Sequence, residues 1–455
     1  MISANAFSQQ PVASTASAPA LPASTAGKRV DAYLKAFNSG DESLMRQFFL
    51  ENVSSDSLQQ IPMEARLGRY REMHSTAGSF KLKKVLEAAD DRARIVVDTA
   101  NGMKLLMEFQ FEKTEPHKLL TIGLDEARPE DEGVTPMKDD ASLAQAAEQY
   151  VSKLAQADDF SGVVMVAKNG SPVFQKAYGY ANREQKTPNT IDTRFNLGSI
   201  NKSFTQVAIH QLAALGKISF TNSIKDFLPD YPNSEAAEKV TVKELLDMTS
   251  GIGDFFGDRY DAAAKEKINN ISDYLPLFAD KPLEFQPGTR RRYSNGGYIV
   301  LGAIIEKVTG TDYYSYVRSN IFAPAKMVGS DWFPKNSVES SVAVGYTKMN
   351  RPGMTQPGKE RHRNTAMLPQ RGSSAGGGYS TAPDLLNYTV ALQTGLAPET
   401  FDGHNGFGIA GGTEGVNAAL DWDPHHGYTV IVLSNYDPPI AETIAHHLRA
   451  LLPQK

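Results

Sequence analysis

Ser199-Ile200-Asn201-Lys202 is the only Ser-x-x-Lys in the 455-residue chain, and that pair of side chains at that spacing suits nucleophilic catalysis. A serine hydroxyl is a poor nucleophile until a base takes its proton. A lysine becomes such a base when burial and the positive end of a helix lower its pKa from about 10.4. Leu197-Gly198 reads as a loop, and Phe204, Val207, Ala208, Gln211 and Leu212 follow at helical spacing. This places Ser199 in the first turn of a helix, with Lys202 one turn on and on the same face. The competing reading is a serine that merely caps a surface helix. Tyr-x-Asn occurs at Tyr180-Ala181-Asn182, Tyr231-Pro232-Asn233 and Tyr293-Ser294-Asn295. Only the third opens a helix, predicted over 297–308 after the turn Pro287-Gly288-Thr289; the other two read as turn or strand-end tyrosines. Tyr293 can share the Ser199 proton, its anionic form favoured by Lys202 and Arg292, while Asn295 can orient the lysine or a substrate carbonyl.

Other patterns compete for the chemistry. Gly372-Ser373-Ser374-Ala375-Gly376 matches the Gly-x-Ser-x-Gly elbow, which requires a buried strand before the serine and a helix directly after. Here Arg361-His362-Arg363-Asn364 and Pro369 precede it and Gly376-Gly377-Gly378 follows, so a cleft-lining loop is expected. The pairs His425/His426 and His446/His447 lack an acidic ligand at His-Glu-x-x-His spacing and read as solvated residues. No metal or organic cofactor is implied. Cysteine is absent, which excludes thiol nucleophiles, disulfides and cysteine-ligated metal sites.

The elements that must hold these residues fall into segments. Residues 1–27 carry no charged side chain and are rich in Ala, Ser and Pro, which predicts a disordered leader. They lack a basic start and an apolar h-region, consistent with the mature N-terminus of an exported protein whose signal has been replaced by Met1. Two short helices are expected over 29–52, a third near 63–73, and strands over 80–85, 93–97, 105–111 and 119–124. Helices followed by a small antiparallel sheet make an α+β module over 28–124. Seven of the sixteen residues from 125 to 140 are acidic, interleaved with Pro129, Gly133 and Pro136, which predicts a linker. The catalytic candidates lie in 141–455. There a helix over 143–154 precedes strands over 162–167 and 173–180, and helices over 202–215 and 240–248 follow. The chain closes with strands over 416–422 and 428–434 and a helix over 440–451. Strands at both ends of this region predict one sheet completed by its two termini, with a helical subdomain inserted.

The net charge of −5 and a single compact basic run, Arg290-Arg291-Arg292, argue against a nucleic-acid binder. No apolar run approaches the ~18 residues a membrane span needs. With 41% hydrophobic and 22% charged residues, the chain can build a large core.

The stretches FNLGSINKSFT, LLDMTSGI, PGTRRRYSNGGYIVLGAIIEKVTG, GSSAGGGYSTAPDL and VIVLSN resemble the serine β-lactamase and penicillin-recognising superfamily, nearest its class C branch with esterase and D-aminopeptidase relatives. The resemblance runs from Asp158 to Leu452. It implies a β-lactamase/transpeptidase-like α/β (α+β) fold, an antiparallel sheet flanked by helices. It also implies Ser199 as acylated nucleophile, Lys202 as its proton partner, Tyr293 as general base and Asn295 beside them. The family's third motif, Lys-Thr-Gly or His-x-Gly, corresponds to Ile409-Ala410-Gly411, so Ile409 stands where a cation belongs. Gly411-Gly412 survives, and the Ser199 and Gly412 amides can still form an oxyanion hole. His404, in His404-Asn405-Gly406, is a candidate substitute; His425-His426-Gly427 and Lys168-Asn169-Gly170 match by pattern but read as hairpin turns. An isoleucine cannot pair with a substrate carboxylate. This favours neutral esters or amides over β-lactams and peptide C-termini. The alternatives are a β-lactamase or D-alanyl-D-alanine-type peptidase, or a catalytically silent binding protein of the same fold. AFNSGD at Ala36–Asp41 gives the N-terminal module a weaker resemblance to the cone-shaped nuclear-transport-factor-2-like superfamily, and homo-oligomer formation through it is an expectation. The expected partner is a small ester, amide or peptide substrate. The expected location is periplasmic or secreted, with a cytoplasmic one left open.

Overall fold

The computed structural model describes residues 20–100, 103–127, 135–335, 341–349, 358 and 360–453. The chain divides into two compact units, Met1–Thr135 and Pro136–Lys455.

The first unit opens with four helices, α1 (Thr25–Asn38), α2 (Glu42–Asn52), α3 (Ser55–Gln60) and α4 (Met63–Ala77). Strands β1 (Phe80–Ala88), β2 (Arg92–Thr99), β3 (Lys104–Phe111) and β4 (Leu119–Glu126) follow as an antiparallel sheet in that order. Its core is aromatic: Phe37 is fully buried and stacks on Phe80 at 4.1 Å, and Tyr33 meets Phe48 and Phe109 edge-on. The predicted leader lies outside the described residues as far as residue 19. Beyond that it is too long, because α1 is helical from Thr25, with the Ser24 side chain accepting from the Gly27 amide. Small residues at 26 and 27 hide this start from a composition argument, yet both are buried. The linker is likewise shorter than predicted, since β4 reaches Glu126 and the next helix starts at Asp140; 128–134 lie outside the described residues.

The second unit begins with α5 (Asp140–Gln156), β5 (Gly162–Lys168) and β6 (Ser171–Tyr178). Gly179, at φ +69°, stops β6 two residues short of the predicted end, and Tyr180–Asn182 forms a separate short strand. The middle of the unit carries α6 (Asn201–Ala214), α7 (Val242–Leu246) and α8 (Asn295–Thr309) among further short turns of helix. The predicted helix 240–248 contracts to α7 because Thr241 and Glu244 form a capping box at its start and Met248 adopts φ +60° beyond its end. The unit closes with α9 (Ala382–Gln393), β7 (Phe407–Thr413), β8 (Val416–Asp423), β9 (Tyr428–Ser434) and α10 (Ile440–Leu451).

The five strands form one antiparallel sheet in the order β7-β8-β9-β5-β6. β9 joins the two ends of the unit by pairing Val432 with Val164 and Ile431 with Met165. Central strands β5 and β9 are buried on both faces, which is why they read as continuous apolar runs rather than alternating ones. Val163, Met165, Ile431 and Leu433 share a core with Phe204 and Val207 of α6 and Ile299 and Ile304 of α8. That packing fixes α6 and α8 against the sheet, and the turn Gly198–Ile200 that leads into α6 meets β7. Among the described residues, no helix is long and apolar enough to cross a membrane.

Candidate active site

Ser199 sits on a single 3-10 turn, Gly198–Ile200, that leads directly into α6. Lys202 is in the first turn of α6, so the three-residue spacing brings its Nζ 3.0 Å from Ser199 Oγ. The turn needs glycine at 198. Gly198 has φ +51°, and a Cβ there would stand 2.7 Å from the Gly412 amide nitrogen. On the facing strand, a Cβ on Gly411 would meet Leu197 O at 2.0 Å and Ser199 N at 2.5 Å. Backbone therefore touches backbone where β7 passes the Ser199 turn, and Ser199, Gly411 and Gly412 lie together.

Tyr293 and Asn295 are set by the start of α8. The Ser294 side chain caps the helix by accepting from the Gly297 amide at 2.9 Å, and its hydroxyl donates to Gly253 O at 3.0 Å. This leaves Tyr293 just outside the helix, its OH 2.6 Å from Ser199 Oγ, and Asn295 as the first helical residue, with Oδ1 accepting from Lys202 Nζ at 2.7 Å. Lys202 Nζ also donates to Ala375 O at 2.6 Å. Burial lowers the Lys202 pKa to about 7, opposed only by the charge of Asp254. Tyr293 moves the other way: burial raises its pKa, its hydrogen bond to Ser199 offsets part of this, and Asp254 adds to it. The expected help from Arg292 is absent, because that guanidinium pairs with Glu284 at 2.8 Å. The tyrosine is thus held protonated, and the lysine is the group whose pKa lies near neutrality.

A cavity of about 690 Å³ opens in front of Ser199. Its walls include Phe255, Phe256, Tyr260, Phe333 and Tyr379, with Ala410, Gly411, Gly412 and Thr413 of β7. Ile409 pairs with Leu420 and packs against the core. Two cations, Lys335 and Arg371, line the cavity among the described residues. Lys335 Nζ donates to Leu368 O at 3.1 Å, and Arg371 lies 3.5 Å over the Tyr314 ring.

The competing motifs resolve differently. Ser374 is fully buried and donates to Tyr298 O at 2.8 Å, while Ser373, Ala375 and Gly376 line the cavity from a loop, with neither the strand before nor the helix after that an elbow demands. His404 bonds Pro398 O at 2.8 Å and is not among the residues lining the cavity. Asn233 caps the short helix Ser234–Lys239, and Tyr180 lies on its own surface strand. His426 pairs with Asp423 in a turn, and His447 stacks on Tyr150 at 3.8 Å. No group of three or more metal-ligating side chains occurs among the described residues. The sequence reading missed the Ala375 carbonyl, the Phe255–Phe256 wall and Asp254, whose Oδ2 accepts from Asn295 Nδ2 at 2.7 Å. Ala375 carries no residue-type signal, since its main chain acts; Asp254 was signalled only by its place two residues beyond the LLDMTSGI stretch.

The Beta-lactamase family profile matches residues 147–403. The chain is 31% identical over 176 residues to Penicillin-binding protein 4* of Bacillus subtilis (strain 168), covering 38% of each chain. It is 30% identical over 249 residues to the Putative penicillin-binding protein PbpX of the same organism, covering 54% of this chain and 58% of that one. The chain thus spans about half the length of these relatives, or less. Among solved structures, a penicillin binding protein from Bacillus halodurans superposes with a TM-score of 0.60 at 29% identity, covering 67% of this chain and 99% of that one.

Proposed function

The chain belongs to the Beta-lactamase family, and from that premise we propose that it is a serine hydrolase acting on neutral esters or amides through an acyl-enzyme on Ser199. The observation that carries this reading is the contact between Ser199 Oγ and a buried lysine whose pKa lies at about 7. At neutral pH much of Lys202 is a free amine able to take the serine proton. Ser199 Oγ then attacks the substrate carbonyl, its O–H proton moves to Lys202, and the carbonyl π electrons move onto oxygen. The Ser199 and Gly412 amides are assigned to that oxyanion, each such donor being worth about 3 kcal/mol. As the tetrahedral centre collapses, the bond to the leaving group breaks and that group takes the Tyr293 proton, which Lys202 replaces. Water repeats the sequence in reverse to free the acid and Ser199.

Substrate choice follows from the walls. Aromatic rings line the cavity and Ile409 stands where a cation would pair with a substrate carboxylate, which favours an uncharged substrate with an apolar acyl or leaving group. The test compares kcat/KM for short-chain nitrophenyl esters with that for a chromogenic cephalosporin. Ester turnover at least about tenfold better is expected; faster cephalosporin hydrolysis would make the protein a β-lactamase instead.

A further inference from the structure

The partners of Lys202 share one property. Asn295 Oδ1 and Ala375 O, at 2.7 and 2.6 Å, can only accept hydrogen bonds. A neutral amine has two protons and one lone pair. Two obligatory acceptors take the protons and leave the lone pair for the third partner, Ser199 Oγ, at 3.0 Å. Once Ser199 has given up its proton, the ammonium has three protons for the same three oxygens. The arrangement serves both states, on one condition: Asn295 must present its oxygen. A carboxamide turned end for end would set its NH₂ group against the amine and draw the lone pair away from Ser199.

Asp254 meets that condition. Its Oδ2 accepts from Asn295 Nδ2 at 2.7 Å and from the Asn295 main-chain N–H at 3.3 Å. A carboxylate accepts only, so the NH₂ end of Asn295 must face it and the oxygen must face Lys202. Among the described residues, Asp254 is the charge that bears on Lys202, and its ring neighbours are two tyrosines. Tyr293 and Tyr298 place their rings 4.8 and 5.6 Å from Nζ, and the Tyr298 hydroxyl is held between Gln206 and Leu246 O. The Asp254 charge favours the protonated form of the lysine.

We infer that Asp254 is a positioning residue of this site: it locks Asn295 with its oxygen toward Lys202 and supplies the negative charge that steadies the lysine after it has taken the Ser199 proton. The inference rests on the proposed roles of Ser199 and Lys202.

Its test is the pH dependence of kcat/KM and of inactivation by a fluorophosphonate, measured on the full chain with Asp254→Asn, Asp254→Ala and Asp254→Glu, each checked for a native melting transition. Asp254→Asn keeps an acceptor for Asn295 but removes the charge. Its acidic limb should move to lower pH by roughly one unit, since an opposite charge no longer favours the ammonium. Its plateau should fall about tenfold because the base is weaker. Asp254→Ala should shift in the same direction with a plateau down roughly 100-fold, because Asn295 is also released. Asp254→Glu should return the limb toward wild type even if packing suffers. An acidic limb unmoved in the neutral variants that fold overturns the inference, whatever the plateau does. If the neutral variants do not fold, a limb in Asp254→Glu displaced as far as the loss of a charge would displace it does the same. Labelling that is absent from wild type, or survives Ser199→Ala, instead overturns the underlying hydrolase reading.

Discussion

If Lys202 is the base, as proposed, the sign of the site's pH dependence follows from which form of the lysine does the chemistry. Lys202 must be unprotonated to accept the Ser199 proton, so kcat/KM should fall about tenfold per pH unit below about pH 7 and level off above it. Tyr293, whose pKa is raised rather than lowered, should keep its proton through the alkaline arm, leaving no second limb below the usual phenol range. A bell falling on the alkaline side between pH 7 and 9 would contradict this assignment. Lys202→Arg retains a cation at the same place but removes the base, since a guanidinium does not deprotonate. A loss of at least ~100-fold in kcat/KM at pH 8 is expected, measured by ester hydrolysis. The pairing of Ser199 with Lys202 was legible in sequence because a three-residue spacing at a helix start is local geometry. The protonation of Tyr293 was not: Arg292 is adjacent in sequence, but the fold turns it to Glu284.

Elements bring the distant pieces together, and the contact between β7 and the Ser199 turn is where they meet. Gly411→Ala would drive a methyl group against Leu197 O and the Ser199 amide. A backbone carbonyl cannot swing aside as a side-chain tip can, so strand and turn must separate. A destabilisation of about 1–3 kcal/mol is expected from calorimetry, with a drop in acylation rate larger than the stability loss alone would cause. Full activity in this variant would show that β7 does not form part of the reaction site. Four of the five strands of this sheet were legible, β5 and β9 as uninterrupted apolar runs bounded by turn residues; β7, interrupted by Gly408, Gly411 and Gly412, carries no strand pattern. α8 was legible from its periodicity, although its start is earlier than the pattern suggests, since Asn295 and Gly296 carry no apolar signal while Ser294 caps the helix. The loop that delivers Ala375 O could be placed beside the cleft from its glycines, but its hydrogen bond to Lys202 arises from tertiary packing alone.

Across the whole molecule, the two units have separate cores, and each should respond to damage on its own. Phe37→Ala removes a fully buried ring stacked on Phe80 and should destabilise the N-terminal unit by about 3–5 kcal/mol. In calorimetry its transition should fall while the rate of fluorophosphonate labelling stays at the wild-type value. A matching loss of labelling would mean that the catalytic unit depends on its neighbour. Composition and periodicity separated these units because an acidic, proline-bearing stretch cannot bury surface. They set the ordered start of α1 too late, because Ala26 and Gly27 pack closely without any apolar pattern to announce it.

The central claim is that Ser199 carries the acyl group. It is tested most directly by intact-protein mass spectrometry after exposure of wild type and Ser199→Ala to a fluorophosphonate, with the modified peptide sequenced. One covalent adduct per chain on Ser199 in wild type, and none in the variant, is the predicted result. An adduct that persists in Ser199→Ala, or maps to Ser374 in the competing Gly-x-Ser-x-Gly stretch, would contradict it.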